Sequence, residues 1–201
     1  MPEQIGVLAL QGAFERHRRA LERCGVAVKE VRQPAHLADL DGLVMPGGES
    51  TTMSKLLTTF ELFDPLAKLI NDGLPVFGTC AGMILLANNV LDGRPDQRSF
   101  AAIDIDVKRN GYGRQIDSFE RNLELASGVT LDEHDQAPSP FLGVFIRAPL
   151  VTRVGDEVEP LATVEGDPVL CRRGNVLVCS FHPELTEDDR LHRFFLRNVC
   201  D

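Results

Sequence analysis

The sequence has no tryptophan and a single tyrosine. That leaves little aromatic surface for stacking nucleobases. Positive charge is in deficit: the formal net charge is -9, which argues against non-specific binding to nucleic acid or to an acidic membrane surface. No Cys-x-x-Cys or His-x-x-x-His pair is present, so no metal site is expected, and no cofactor is assigned. No apolar run approaches the roughly 20 residues needed to cross a bilayer. The first residues lack a basic stretch followed by an apolar one, which predicts no secretory signal. Repeats, low-complexity tracts and linker-like segments are also missing.

What is there suits one domain over residues 1–201, long enough to bury a core without staples. The five cysteines, Cys24, Cys80, Cys171, Cys179 and Cys200, are odd in number and follow no framework spacing. This predicts reduced thiols and a cytoplasmic protein, with Cys171 and Cys179 as small core residues. Strand-like and helix-like runs alternate in the first half: strands at 4–10, 27–31, 41–45 and 74–77, helices at 13–24, 52–57, 62–72 and 81–87. Such alternation implies a mostly parallel sheet with helices on both faces. The second half is strand-rich, at 102–108, 142–147, 150–154, 161–164, 169–172 and 176–180. Gly155-Asp156 and Arg173-Gly174-Asn175 read as turns, the second as a hairpin, and a helix capped by Thr186 is expected over 187–199.

The most informative segment is Gly78-Thr79-Cys80-Ala81-Gly82, set between a short apolar strand and a helix. A nucleophile flanked by glycines at a strand-to-helix turn is an elbow arrangement, here with a thiol. A buried structural cysteine is the alternative. His182-Pro183-Glu184 follows the strand at 176–180; in an extended segment His182 and Glu184 project to one side, so the carboxylate can hold the imidazole in one tautomer. Pro46-Gly47-Gly48-Glu49-Ser50-Thr51-Thr52 follows the strand at 41–45. Its glycines can aim backbone N–H groups at one atom, and Ser50, Thr51 or Thr52 can cap the next helix; an ordinary tight turn is the alternative. Gln11, Gly47, Cys80 and His182 each stand just after a strand, which places four remote segments on one sheet edge. Arg16, His17, Arg18, Arg19 and Arg23 form a basic cluster on the helix at 13–24, read as a solvated face or a docking surface. Phe14, His17, Leu21 and Cys24 are spaced there as an inward stripe.

Three of these segments, Pro46-Gly47-Gly48, Gly78-Thr79-Cys80-Ala81-Gly82 and Phe181-His182-Pro183-Glu184, resemble the class I glutamine amidotransferases. Leu8-Ala9-Leu10-Gln11-Gly12, Glu49-Ser50-Thr51-Thr52, Arg109-Asn110-Gly111-Tyr112-Gly113-Arg114-Gln115, Phe145-Ile146-Arg147-Ala148-Pro149 and the run 182–190 narrow the resemblance to the glutaminase subunits of pyridoxal 5′-phosphate synthases. Gly111 and Tyr112 stand where that pattern has a small residue such as Ala or Ser, and Phe. The resemblance implies a flavodoxin-like three-layer α/β fold and a triad of Cys80, His182 and Glu184. Backbone N–H groups of Gly48 and Ala81 are expected to hold the oxyanion. Gln11 and Gly12, after the first strand and close to the Gly47-Gly48 loop, are expected to form a switch, since two glycine-bearing loops can hold alternative backbone orientations. Gly47, Gly48, Glu49, Arg109, Ile146 and Arg147 would surround L-glutamine, and the ammonia released would pass to a pyridoxal 5′-phosphate synthase subunit. A class I glutaminase serving another synthase, such as that of histidine biosynthesis, and a non-enzymatic regulatory relative are the other readings.

Overall fold

The computed structural model describes residues 2–111, 118–131 and 140–200. Tyr112 and the rest of its motif to Gln115 lie outside them, as does much of the acidic stretch 123–141. The elements run β1 (Gln4–Leu8), α1 (Phe14–Arg23), β2 (Ala27–Val31), β3 (Gly42–Met45), α2 (Ser50–Thr59), α3 (Phe63–Asn71), β4 (Val76–Thr79), α4 (Ala81–Leu86), β5 (Ala87–Val90) and β6 (Ile103–Lys108). They continue with β7 (Ser118–Asn122), β8 (Glu124–Leu125), β9 (Leu142–Ile146), β10 (Leu150–Val154), β11 (Glu159–Val164), β12 (Asp167–Arg173), β13 (Val176–Cys179) and α5 (Arg190–Asn198).

The main sheet has strand order β2-β1-β3-β4-β13-β12-β11-β8. Strands β2, β1, β3, β4 and β13 are parallel, and β12, β11 and β8 extend the sheet antiparallel. Three-stranded β10-β6-β5 and two-stranded β7-β9 sheets carry the remaining strands. Both faces of the main sheet are apolar, as parallel strands require. Met45, Val76 and Val178 pack with Met53, Leu57 and Met83 on one side. Val44, Phe77, Leu177 and Cys179 pack with Leu21, Leu191 and Phe195 on the other. The helices thus form the outer layers of an α/β/α stack, α2 and α4 on one face and α1 and α5 on the other. Cys171 and Cys179 are free thiols in this core, as expected.

The expected strands and helices are present with ends moved by a few residues. Three strands were not anticipated: β5, β7 and β8 are short or polar, and β7 and β8 pair with strands that are not their neighbours in sequence, β9 and β11. The hairpin at Gly174 forms between β12 and β13. A second two-residue hairpin, Glu165-Gly166 between β11 and β12, has positive φ at both positions and carried no glycine-pair signal.

Two caps differ from expectation. Helix α2 is capped by Glu49, whose carboxylate accepts from the N–H groups of Thr51 and Thr52, so none of Ser50, Thr51 or Thr52 fills that role. The last helix starts only at Arg190, after a 3-10 turn over Pro183–Leu185. Thr186 instead accepts from Asp188 N–H and donates to the Pro183 carbonyl, closing a local turn. Three arginines of the basic cluster on α1 are ion-paired, Arg18 with Glu15 and Glu22, Arg19 with Glu15, and Arg23 with Asp189 ahead of α5. His17 does not belong to that face and is fully buried.

Close packing at the elbow fixes how the layers meet. A Cβ on Gly82 would lie 2.1 Å from the Met45 carbonyl oxygen, and one on Gly78 2.8 Å from the backbone of Gly82. Backbone cannot yield as a flexible side chain can, so Gly82→Ala is expected to cost about 1–3 kcal/mol. At roughly 2–4 °C per kcal/mol, its thermal midpoint should fall by several degrees. A midpoint within about a degree of the parent would show that the α4–β3 approach is not tight.

Candidate active site

Pairing of β4 with β13 sets the site. Thr79 is in register with Cys179, and the Cys80 N–H donates to the Cys179 carbonyl at 2.8 Å. Cys80, one residue past the end of β4, and His182, three past the end of β13, therefore stand over the same edge of the sheet. Cys80 is the N-cap of α4 with φ 49° and ψ -102°. A side chain held at positive φ costs on the order of 1–3 kcal/mol and persists only where packing enforces it. The enforcing contacts are those of Gly78 and Gly82 above. The glycines themselves do not take positive φ; their missing side chains let Cys80 do so.

His182 lies beside Cys80, with Gly47 packed between the two. A Cβ on Gly47 would be 2.4 Å from His182 Cε1 and 3.3 Å from Cys80 Cβ. His182 Nδ1 is 2.8 Å from Glu184 Oε1. The contact forms through the 3-10 turn begun by Pro183, not through the extended segment expected from the spacing. Burial disfavours a charged imidazole, but the Cys80 and Glu184 side chains beside it outweigh that and push the His182 pKa up to about 10. The imidazolium therefore persists at neutral pH and is lost as pH rises through about 10. Glu184 is 5% exposed. Burial raises its pKa, yet the imidazoles of His17 and His182 facing it hold the carboxyl well below the usual carboxylate range.

In front of the triad is a cavity of about 290 Å³ lined by Gln11, Gly48, Glu49, Cys80, Arg109, Ile146, Arg147 and His182, with Ser50, Ile84 and Asn110 completing it. That is near the lower end for small-molecule sites and fits a single small metabolite. The Ile146 carbonyl is 3.9 Å from the Cys80 thiol. Arg147 is exposed and held at φ 44°. Arg109 donates to Thr51 Oγ1 at 2.9 Å and Gln97 Oε1 at 3.1 Å, and its guanidinium is 3.9 Å from Glu49. Despite partial burial, the Glu49 carboxyl is held down to about 2 by its cap bonds to Thr52 and Thr51.

The loop at 47–49 rests on the loop at 11–13. Glu49 N–H donates to Gln11 Oε1 at 2.9 Å, and Ala13 N–H to the Gly47 carbonyl at 3.3 Å. Gly12 has φ 91°, and a Cβ there would be 1.8 Å from the Gly47 oxygen. With that oxygen turned to Ala13, planarity of the trans peptide turns the Gly48 N–H the opposite way. The residues expected to act together, from 11–12 to 184, are thus neighbours; Ala81 is buried in the elbow and Glu184 stands behind His182. Sequence reasoning missed Gln97, which carries no motif, and the chemistry of His17, which the inward stripe of α1 did place correctly. Among the described residues no group of metal-ligating side chains is present, and no helix is long and apolar enough to cross a membrane.

A parallel α/β sheet with a cysteine elbow and a His–Glu pair on its carboxyl edge defines the class of protein. Residues 7–201 match the model of the SNO glutamine amidotransferase family. The chain is 56% identical to the pyridoxal 5′-phosphate synthase subunit PdxT of Corynebacterium jeikeium (strain K411), over 97% of this chain and 96% of that one. It is 52% identical to the subunit of the same name from Mycobacteroides abscessus, over 99% and 98%. A crystal structure of a glutamine amidotransferase superposes with a TM-score of 0.86 at 49% identity, covering 96% of each chain. The chain belongs to the SNO glutamine amidotransferase family.

The charge on His182 is open to direct measurement. In Cys80→Ala the sulfur that supports the imidazolium is gone, so the His182 ring resonances should titrate well below the value of about 10 in the parent. An unchanged midpoint would mean that Cys80 does not interact with His182.

Proposed function

We propose that this chain is the glutaminase subunit of a pyridoxal 5′-phosphate synthase. It hydrolyses L-glutamine to L-glutamate and ammonia, and the ammonia passes to a synthase subunit in vitamin B6 biosynthesis. The proposed setting is cytoplasmic, with residues 1–201 acting as one amidotransferase domain. The observation that carries the reading is the meeting of Cys80, His182 and Glu184 on one sheet edge, in a chain similar over nearly its whole length to subunits of that name.

In this mechanism the Cys80 sulfur attacks the side-chain amide carbon of glutamine. His182 holds the thiol proton and donates it to the leaving nitrogen, so ammonia departs and a glutamyl thioester remains. Water then attacks the thioester while His182 takes its proton; glutamate leaves and the thiol is restored. Glu184 orients the ring and stabilises the imidazolium. The N–H groups of Gly48 and Ala81 are the proposed oxyanion donors. Glu49 and Arg147, with Arg109, Gly47, Gly48 and Ile146, are the proposed surroundings of the ammonium and carboxylate of glutamine. Cys80→Ala should abolish glutamine hydrolysis but leave partner binding intact, and synthase given free ammonium should work beside it. Near-normal hydrolysis by Cys80→Ala would remove the assigned nucleophile.

Contact between the 11–13 and 47–49 loops supports the proposed switch. Ala13 N–H, with Gly12 packed close, holds the peptide that bears the Gly48 N–H, and Gln11 holds the next N–H, so docking of the synthase near them can select the orientation that is competent. Isolated chain should therefore turn glutamine over slowly, and addition of the synthase subunit should raise kcat. Equal kcat with and without it would exclude such a switch.

Glu49→Gln keeps a cap acceptor and removes the charge. It and Arg147→Ala should each lower kcat/KM for glutamine by roughly ten- to a hundredfold, as expected for a lost charged hydrogen bond. Alkylation of Cys80 by a small neutral reagent should change little in either variant. A parallel fall in both rates would show that the two residues support the thiol and not the substrate.

A further inference from the structure

Behind the triad lie two buried imidazoles that the reaction as described does not use. His17 of α1 and His192 of α5 are both fully buried, and both are in the layer of helices opposite the elbow helix. His17 Nε2 is 3.2 Å from Glu184 Oε2 and 3.2 Å from Thr79 Oγ1. His17 Nδ1 is 3.0 Å from His192 Nε2. Glu184 Oε2 has no hydrogen bond of full geometry among the described residues, and neither does His192 Nδ1. The carboxylate thus has one oxygen on His182 and the other facing His17 across a shared, imperfectly aligned contact.

The order of hydrogens follows from the two ends of this chain. A carboxylate only accepts, so the nitrogen facing it, His17 Nε2, carries hydrogen. A bare buried lone pair is less costly than an unmatched N–H, which leaves His192 Nδ1 unprotonated and puts the hydrogen on Nε2, donating to His17 Nδ1. Burial holds the His192 pKa down to about 3, in keeping with a neutral ring. The other groups facing the chain are Phe77, edge-on to His17, and Cys179, Arg23 and Arg193 around Glu184 and His192. Every donor then points toward Glu184 from two sides.

We infer that His17, oriented by His192, is a positioning residue that extends the Cys80–His182–Glu184 triad into a buried relay of five side chains, keeping Glu184 ionised and turned toward His182. The inference rests on the reading of those three residues as the triad. Without His17, Glu184 Oε2 would face no donor inside the protein, and the carboxylate would support the His182 imidazolium less well. His17 touches no part of the substrate cavity, so substrate binding should be spared.

The test is steady-state glutamine hydrolysis in the presence of the synthase subunit, over pH 6 to 11 for the parent, His17→Phe, His17→Gln and His192→Phe, with Cys80→Ala as control. In His17→Phe kcat should fall about tenfold with KM nearly unchanged. The alkaline limb, set by loss of the His182 proton, should move to lower pH by about half a unit or more. His17→Gln, which keeps an N–H donor, should recover most of both, and His192→Phe should shift the limb the same way by less. A folded His17→Phe with parental kcat and limb would overturn the inference. So would a fall in kcat with no shift of the limb and no recovery in His17→Gln, which marks packing alone. If His17→Phe does not fold, His192→Phe decides, and an unmoved limb there overturns the proposal. Activity in Cys80→Ala would instead remove the triad reading itself.

Discussion

The site depends on the parallel pairing of β4 with β13 at the centre of the main sheet. These strands are nearly a hundred residues apart in sequence, and a one-residue slip in their register would exchange the faces of every side chain beyond them. Register is pinned because both faces are buried: Val76 and Val178 belong to one apolar layer, Phe77 and Leu177 to the other. The Cys80–Cys179 backbone hydrogen bond continues the ladder one residue past the strand end, to the point where the chain turns. Chemistry at the edge inherits its precision from the core.

Beyond that edge, strain and electrostatics are coupled. Positive φ at Cys80 lifts the thiol off the sheet, and it is tolerated because Gly78 and Gly82 let β4, β3 and α4 approach within backbone contact. The raised sulfur then meets His182 across Gly47, where any side chain would collide with the imidazole ring. A buried carboxylate behind the ring offsets the cost of carrying an imidazolium in a site nearly closed to water. Each of the three glycines thus has a distinct steric reason, and only together do they permit the geometry.

Much of this was legible in the sequence because the signals are local. Apolar runs ending in Gly47, Cys80 and His182 place those residues at strand ends, and alternation with amphipathic helices makes the sheet parallel. What escaped depends on contacts remote in sequence. The polar strands β7 and β8 form only against β9 and β11. Glu49 caps α2 in place of the hydroxyl residues after it, because its carboxylate reaches forward to two N–H groups of the first turn. Helical periodicity put His17 on the inner face of α1, but nothing in the sequence tells that the inner face at that turn meets Glu184 and His192 and not aliphatic core. Resemblance supplied the roles of Arg109 and Arg147, which composition and spacing alone leave as surface charges.

The account centres on a glutamyl thioester at Cys80, and trapping it is the most direct test. The complex with synthase subunit would be mixed with isotope-labelled glutamine, quenched in acid during turnover, and digested for mass spectrometry. The account predicts a labelled glutamyl adduct on the peptide bearing Cys80 and none on Cys24, Cys171, Cys179 or Cys200. Steady ammonia release with no adduct at Cys80, or with the adduct on another residue, would contradict it.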